Sequence, residues 1–198
     1  MKKAWLILIP LAVIVFAITR SGASDEEYTQ EILSFWEDRN DFFRTSEASP
    51  FVEKNQAFKE VSFFEPNKDY RVSAELSRFS KRETAVLGNS DGTTTTYLKF
   101  AKVNFKIQEQ PCSLVILKAL GFGNQYLLAF GDGTSGDSTY GGGRYLDVSI
   151  GKSDLITLDF NKAYNPYCAY FEDFTCPLPP VENLMEVSIL AGEKNYPY

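Results

Sequence analysis

Beyond Tyr70 the chain is a succession of short alternating or strongly β-prone runs, each closed by a tight turn, with no amphipathic helix between them. Tyr70–Leu76 alternates strictly, and Val103, Phe105 and Ile107 alternate again, so one face of each run is buried and the other is wet. Thr93–Phe100, Cys112–Leu120, Gln125–Phe130, Arg144–Ile150, Leu155–Phe160 and Leu184–Leu190 are also expected as strands. Turn signals stand at Asn89-Ser90-Asp91-Gly92, Glu109-Gln110-Pro111 and Gly121-Phe122-Gly123. Gly151-Lys152-Ser153-Asp154 reads as the turn of a hairpin joining Arg144–Ile150 to Leu155–Phe160. Strands without intervening crossover helices exclude a parallel α/β fold. The chain is therefore expected to be mainly β, an antiparallel β-sandwich or barrel.

A helix precedes the strands. From Asp25 to Arg44, the residues Tyr28, Ile32, Phe35, Trp36, Phe42 and Phe43 recur at three- and four-residue steps, and Asp25, Glu26 and Glu27 favour the positive end of a helix. This amphipathic N-terminal helix is expected to pack on the sheet. Ser49-Pro50 breaks it, and Glu53–Glu60 reads as a short helix carrying Phe58 inward. With 198 residues and 44% apolar composition the chain suits one domain, residues 25–198, behind a targeting segment. That segment is residues 1–23: Met1-Lys2-Lys3, then an apolar run from Ala4 to Thr19, then Ser21-Gly22-Ala23. Sixteen residues span roughly 24 Å as a helix, against roughly 30 Å of bilayer hydrocarbon, so a cleaved signal peptide is favoured over a membrane anchor. Either way the domain is expected to be exported, to the periplasm or the outer face of the cytoplasmic membrane, and to meet the membrane only through this segment.

The sequence contains no histidine, which removes the commonest general base and metal ligand and the Ser-His-Asp arrangement. The net charge of −6 argues against a nucleic-acid partner. Gly131-Asp132-Gly133-Thr134-Ser135-Gly136 matches a dinucleotide-binding fingerprint, but the following Asp137-Ser138-Thr139-Tyr140-Gly141-Gly142-Gly143 cannot sustain the helix that would hold pyrophosphate. Gly151-Lys152-Ser153 lacks the first glycine of a P-loop. Asp132 and Asp137 do not have calcium-loop spacing, and the cysteines are too few for zinc. No cofactor and no metal are expected. Cys168 and Cys176 lie eight apart and can form a disulfide outside the cytoplasm, or remain two buried thiols, with Cys112 unpaired.

Recognition is expected between Phe130 and Lys194. Nine of the thirteen glycines fall between Gly121 and Gly151, and five of the nine prolines lie beyond Asp159. Arg144, behind three glycines, is a natural carboxylate or phosphate clamp, or else the buried partner of Asp147, Asp159 or Glu193. Tyr140, Asn161, Tyr164, Asn165, Asn183 and Lys194 complete a candidate ligand site of amides and aromatic walls. It suits a small polar, ring-shaped molecule such as a sugar or nucleoside. Glu182 and Glu193 are the candidate acid/base pair if the protein is an enzyme. The plain alternative is that these groups satisfy one another in a structural or protein-interaction module.

Three blocks of the sequence carry a family resemblance: SPFVEKNQAFKEVSFFEPNKDYRV, FGDGTSGDSTYGGGRYLD and LDFNKAYNPYCAYFEDFTCPLPPVENLMEVSILAGEK. With them the chain resembles domain of unknown function family 1684, a group of uncharacterised prokaryotic proteins. The resemblance implies a mainly β domain with an N-terminal helix and no assigned activity. Family forms without an export segment imply that a Cys168–Cys176 disulfide is not obligatory.

Overall fold

The computed structural model describes the backbone of residues 5–121, 123 and 125–197, and the side chains from Asp25 onward within that range. The expected export segment, residues 1–23, lies outside the described side chains. No helix among the described residues is long and apolar enough to cross a membrane.

Helix α1 spans Trp5–Thr45. Its stripe of Tyr28, Ile32, Trp36, Asn40 and Phe43, at steps of four, four, four and three, is buried, as the periodicity predicts. Helix α2 is Pro50–Glu53, not the expected Glu53–Glu60. Ser49-Pro50 is its start signal: the Ser49 hydroxyl accepts from Phe51 N at 3.2 Å, and proline occupies the first turn. Asn55 then takes φ +50° and ends it. Phe58 still turns inward, 5.0 Å from the Phe51 ring centroid.

The β elements are β1 Arg71–Arg78, β2 Thr84–Gly88, β3 Thr94–Ile107, β4 Gln110–Ala119, β5 Tyr126–Leu127, β6 Ala129–Phe130, β7 Arg144–Tyr145 and β8 Leu155–Asp159. All pairings between these strands are antiparallel. The main sheet runs β5-β4-β3-β1-β8, with β2 paired to the first half of β3, and β6-β7 form a separate ribbon. The two expected runs around Phe100 and Phe105 are one strand, β3, with a register shift between Lys99 and Ala101. At the β3–β4 turn Gln108 and Glu109 take φ +48° and +64°, the left-handed pair that matches the twist of a two-residue hairpin.

The fold is mainly antiparallel β with an N-terminal helix, but among the described residues the sheet does not close. Its path ends at β5 on one side and β8 on the other, so a closed barrel is not formed. The expected hairpin around Gly151 is also corrected. β8 pairs with β1, Arg71 facing Asp159 and Glu75 facing Leu155, while β7 pairs with β6 through Phe130 and Arg144. The expected strand Leu184–Leu190 is not formed: Leu184 makes a single bridge to Gly131, and the chain bends at Glu186 and Val187.

The largest core cluster lies between the sheet and the later segments: Leu76, Val103, Phe105, Ile116 and Leu158 meet Phe130, Phe160, Ile189 and Ala191. A second cluster, of Phe43, Phe51, Val61, Tyr170 and Phe171, seats the end of α1 against the long loop after β8.

Candidate functional site

Arg144 begins β7 and is 1% exposed, so its guanidinium must be answered inside the protein. Nη2 donates to Asp132 Oδ2 at 2.8 Å and to the Ile189 carbonyl at 3.0 Å. Nη1 donates to the carbonyls of Ala191 and Glu193. Burial pulls the guanidinium down from its ordinary range, and Asp132 opposes that. Asp132 Oδ1 accepts from Thr134 N, Thr134 Oγ1 and Ile189 N. Carbonyls 189, 191 and 193 lie on one edge of the extended C-terminal segment, and the guanidinium takes the place of the neighbouring strand they lack. The glycines before Arg144 serve the same packing. Gly143 has φ +83°, and a Cβ there would lie 2.6 Å from the Phe130 carbonyl and 2.5 Å from Pro179 Cγ. Asp132 is thus the buried partner of Arg144, not one of the three carboxylates expected for it.

Glu193 is fully buried. Its Oε1 is ion-paired with Arg39 Nε of helix α1. Its Oε2 accepts from Tyr170 Oη at 2.6 Å and from Asn165 N at 2.7 Å. Burial and the adjacent Glu193 carboxylate hold the Tyr170 phenol well above its ordinary pKa, so it stays a donor. Burial alone would weaken Arg39, but Glu193 carries it above its usual range. Asn161 and Asn183 are likewise interior. Asn161 Nδ2 donates to Tyr28 Oη and the Asn67 carbonyl, its Oδ1 accepts from Asn67 N, and its own carbonyl accepts from Trp36 Nε1. Asn183 Oδ1 accepts from Val115 N, and its Nδ2 donates to the Val115 and Ala129 carbonyls. Glu182 is on the surface, 2.7 Å from Lys99 Nζ, so it and Glu193 are held by different partners on different elements. Lys194 Nζ lies over the Phe64 ring.

An open cavity of about 780 Å³ lies between α1, β7 and the loop after β8. Of the candidate residues, Tyr164 and Asn165 reach it, whereas Tyr140, Arg144, Asn161, Asn183, Glu182, Glu193 and Lys194 do not line it. Its aromatic wall is Phe35, Phe42, Tyr145, Tyr164, Tyr167 and Phe174. Tyr145 and Tyr164 meet edge to face with ring centroids 6.0 Å apart, as do Tyr167 and Phe174 at 5.2 Å. Pro166 and Pro177 stiffen the loop side of the wall. The polar lining is Asp38, Arg39, Asp147, Asn165 and Thr175. The Arg39 guanidinium stands 4.7 Å from the Tyr164 ring centroid and 4.8 Å from that of Phe43. Tyr164 Oη donates to Asp147 Oδ1 at 2.9 Å. Arg39 Nη2 and Asn165 Oδ1 are buried polar atoms with no hydrogen-bond partner among the described residues.

Arg39 was legible in one respect: it lies three residues after Trp36 and four before Phe43, a charge placed on the apolar side of an amphipathic helix. Phe35 and Phe42 stand in the helical periodicity, whereas Asp38, Tyr145, Tyr167 and Thr175 carry no local signal.

Cys168 and Cys176 meet at the cavity's edge, where Cys176 is part of the lining, and both are free thiols. Cys168 N donates to Cys176 Sγ at 3.2 Å, and Tyr140 Oη donates to Cys168 Sγ at 3.6 Å. A hydrogen bond from the Cys176 thiol outweighs burial and lowers Cys168 to about 6, while the same bond and burial raise Cys176. Asp132 serves Arg144 and Thr134, and no cluster of metal-ligating side chains occurs among the described residues.

The family model described as "Protein of unknown function (DUF1684)" matches residues 56–194, well over half the chain. The chain belongs to the DUF1684 family. The DUF1684 match takes in β7 and the loop after β8, hence the Tyr145–Pro177 side of the cavity, and begins after the α1 side. A solution NMR structure of an uncharacterised protein from Haloarcula marismortui is similar, at 33% identity and a TM-score of 0.63, covering 87% of this chain and 96% of that one. No curated protein matches the chain.

Proposed function

We propose that this DUF1684 protein is an exported, cell-envelope β domain that binds a small polar molecule with a flat ring in the cavity between α1 and the proline-stiffened loop. The observation that carries the reading is the wall: six half-buried aromatic side chains surround about 780 Å³ of open space. Ligand pockets commonly span about 300–1,000 Å³ and combine such walls with a few fixed polar groups. Left empty, the rings expose apolar surface that burial against a ligand would remove from water. The binding residues on this reading are Tyr164 and Asn165, joined by Arg39, Tyr145 and Asp147. A thermal-shift screen of sugars, nucleosides and small acids tests it, because binding to the folded state raises the melting temperature by mass action. A shift abolished by Tyr164→Ala supports the reading; no shift across the panel at millimolar ligand sinks it.

A structural or interaction module is the second reading, favoured by the internal pairing of Asn161, Asn183 and Glu193. Those groups build the scaffold, and Glu182 on the surface beside Lys99 and the fully buried Glu193 are held by different partners on different elements.

A further inference from the structure

We infer that the cavity selects organic cations, a flat ring bearing a fixed positive charge, over neutral or anionic ligands of the same shape; this rests on the binding reading above. The balance of charge around the wall sets this preference. Every cation that approaches it is already matched to a carboxylate. Arg39 is paired with Glu193, Lys162 over the Phe35 ring is 2.6 Å from Glu31, and Lys54 over the Phe174 ring is paired with Asp173. Two lining carboxylates are left over. Asp38 has no hydrogen-bond or ion-pair partner among the described residues, and Asp147 accepts only the neutral Tyr164 hydroxyl. Asp147 also borders a smaller cleft that contains Arg71, Lys152 and Lys162, yet none of these lies within ion-pair distance of it.

The rings supply the second half. Aromatic faces attract cations through their quadrupole, and Arg39, Lys54 and Lys162 already use the rings of Tyr164, Phe174 and Phe35 in this way. A cavity with aromatic walls and two uncompensated carboxylates would stabilise a delocalised or quaternary cation, which is cheap to desolvate. It would repel a carboxylate or phosphate, since the charge of the one lining guanidinium is neutralised by Glu193 and its unpartnered Nη2 is buried. The charge expected of the ligand is thus opposite to the one that an Arg144 clamp would have implied.

Titration calorimetry on the full chain with 1-methylnicotinamide (cation), nicotinamide (neutral) and nicotinate (anion) tests the inference on one ring scaffold. The cation is expected to bind on the order of tenfold or more tighter than the neutral compound, with the anion weakest. Asp38→Asn and Asp147→Asn, both at exposed positions, should keep the melting temperature and each narrow the gap between cation and neutral compound. Equal binding of nicotinamide, or tighter binding of nicotinate, overturns the charge preference and leaves the cavity reading standing. Binding of sugars or nucleosides with none of the cation has the same meaning. No binding by any member of either panel removes both.

Discussion

Arg144 and Glu193 are buried charges at the centre of the polar network, and the worth of such a charge is read by removing it. Replacing Arg144 with leucine keeps much of the volume but strands Asp132 and three carbonyls in the interior. Unpairing a buried ion pair from one side costs about 3–5 kcal/mol, and Arg144→Leu is expected to lower the urea stability by that amount. A loss below about 1 kcal/mol would mean that water reaches the carbonyls and that the guanidinium is not their essential partner. Cys168 makes a chemical prediction. Its thiol is lowered to about 6 by the Cys176 hydrogen bond. Its alkylation rate should therefore rise with a midpoint near pH 6, and Cys176→Ala should move that midpoint up toward the ordinary thiol value of about 8.5. Burial slows the reaction overall, so the diagnostic quantity is the midpoint and not the rate. An unchanged midpoint in Cys176→Ala would leave the Tyr140 hydroxyl as the controlling donor.

The directional contacts that fasten helix α1 to the rest of the domain include Tyr28 Oη donating to Asp159 Oδ1 at the end of β8 at 2.9 Å, Trp36 Nε1 to the Asn161 carbonyl at 2.9 Å, Asn40 Oδ1 accepting from Val61 N at 2.9 Å, and Arg39 to Glu193. Trp36 also stacks on Phe63 with ring centroids 4.6 Å apart. Trp36→Phe, which keeps a ring and loses the donor, is expected to cost about 1–2 kcal/mol, against about 3–5 kcal/mol for Trp36→Ala. Similar losses for the two variants would show that the hydrogen bond, not the packing, seats the helix. The helix stripe, β1 and the second half of β3 were legible because period and burial coincide in them, whereas β4, buried over four consecutive residues, was legible from its β-prone composition between turn signals. The errors have one physical origin: alternation reports one-sided burial and says nothing about pairing. Leu146 and Val148 lie against the core, and Val187, Ile189 and Ala191 alternate inward. Both segments therefore look like strands, yet in Leu184–Leu190 the Ile189 carbonyl is taken by the Arg144 side chain and the backbone contacts are single ones to Gly131 and Gly133, and most of Arg144–Ile150 has no ladder. The site was misread for a related reason. Glycines, buried amides and a lone arginine mark backbone held in unusual conformations, and here they hold the C-terminal segment in place. The cavity draws on residues 35–42, 145–147 and 164–177, which no local spacing could have joined.

The C-terminal segment ties the molecule into one cooperative unit, because it touches each layer. Its carbonyls bind Arg144 of the β6–β7 ribbon, Glu193 binds α1, and Gly192 sits where a Cβ would lie 2.6 Å from the Ala163 carbonyl and 2.7 Å from that of Phe160. Helix and sheet are thus expected to unfold together, with far-ultraviolet ellipticity and Trp36 emission, read in a Trp5→Phe chain, giving coincident denaturation curves. Gly192→Ala puts the argument under stress. Its φ of +77° alone disfavours a side chain by about 1–3 kcal/mol, and the close carbonyls force the segment outward in addition. If the segment is the common fastening, the variant should weaken the helix and the sheet equally and keep the two curves superimposed at a lower midpoint. If the helix is instead held by its own aromatic contacts with Phe51, Phe58 and Phe63, the curves should separate, Trp36 emission surviving to higher denaturant than the strand signal. Separation would also relocate the cavity's weak point. Its α1 wall would then be the stable side and the loop of Tyr164–Pro177 the side that yields, so ligand affinity would fall with Gly192→Ala even though no lining residue had changed.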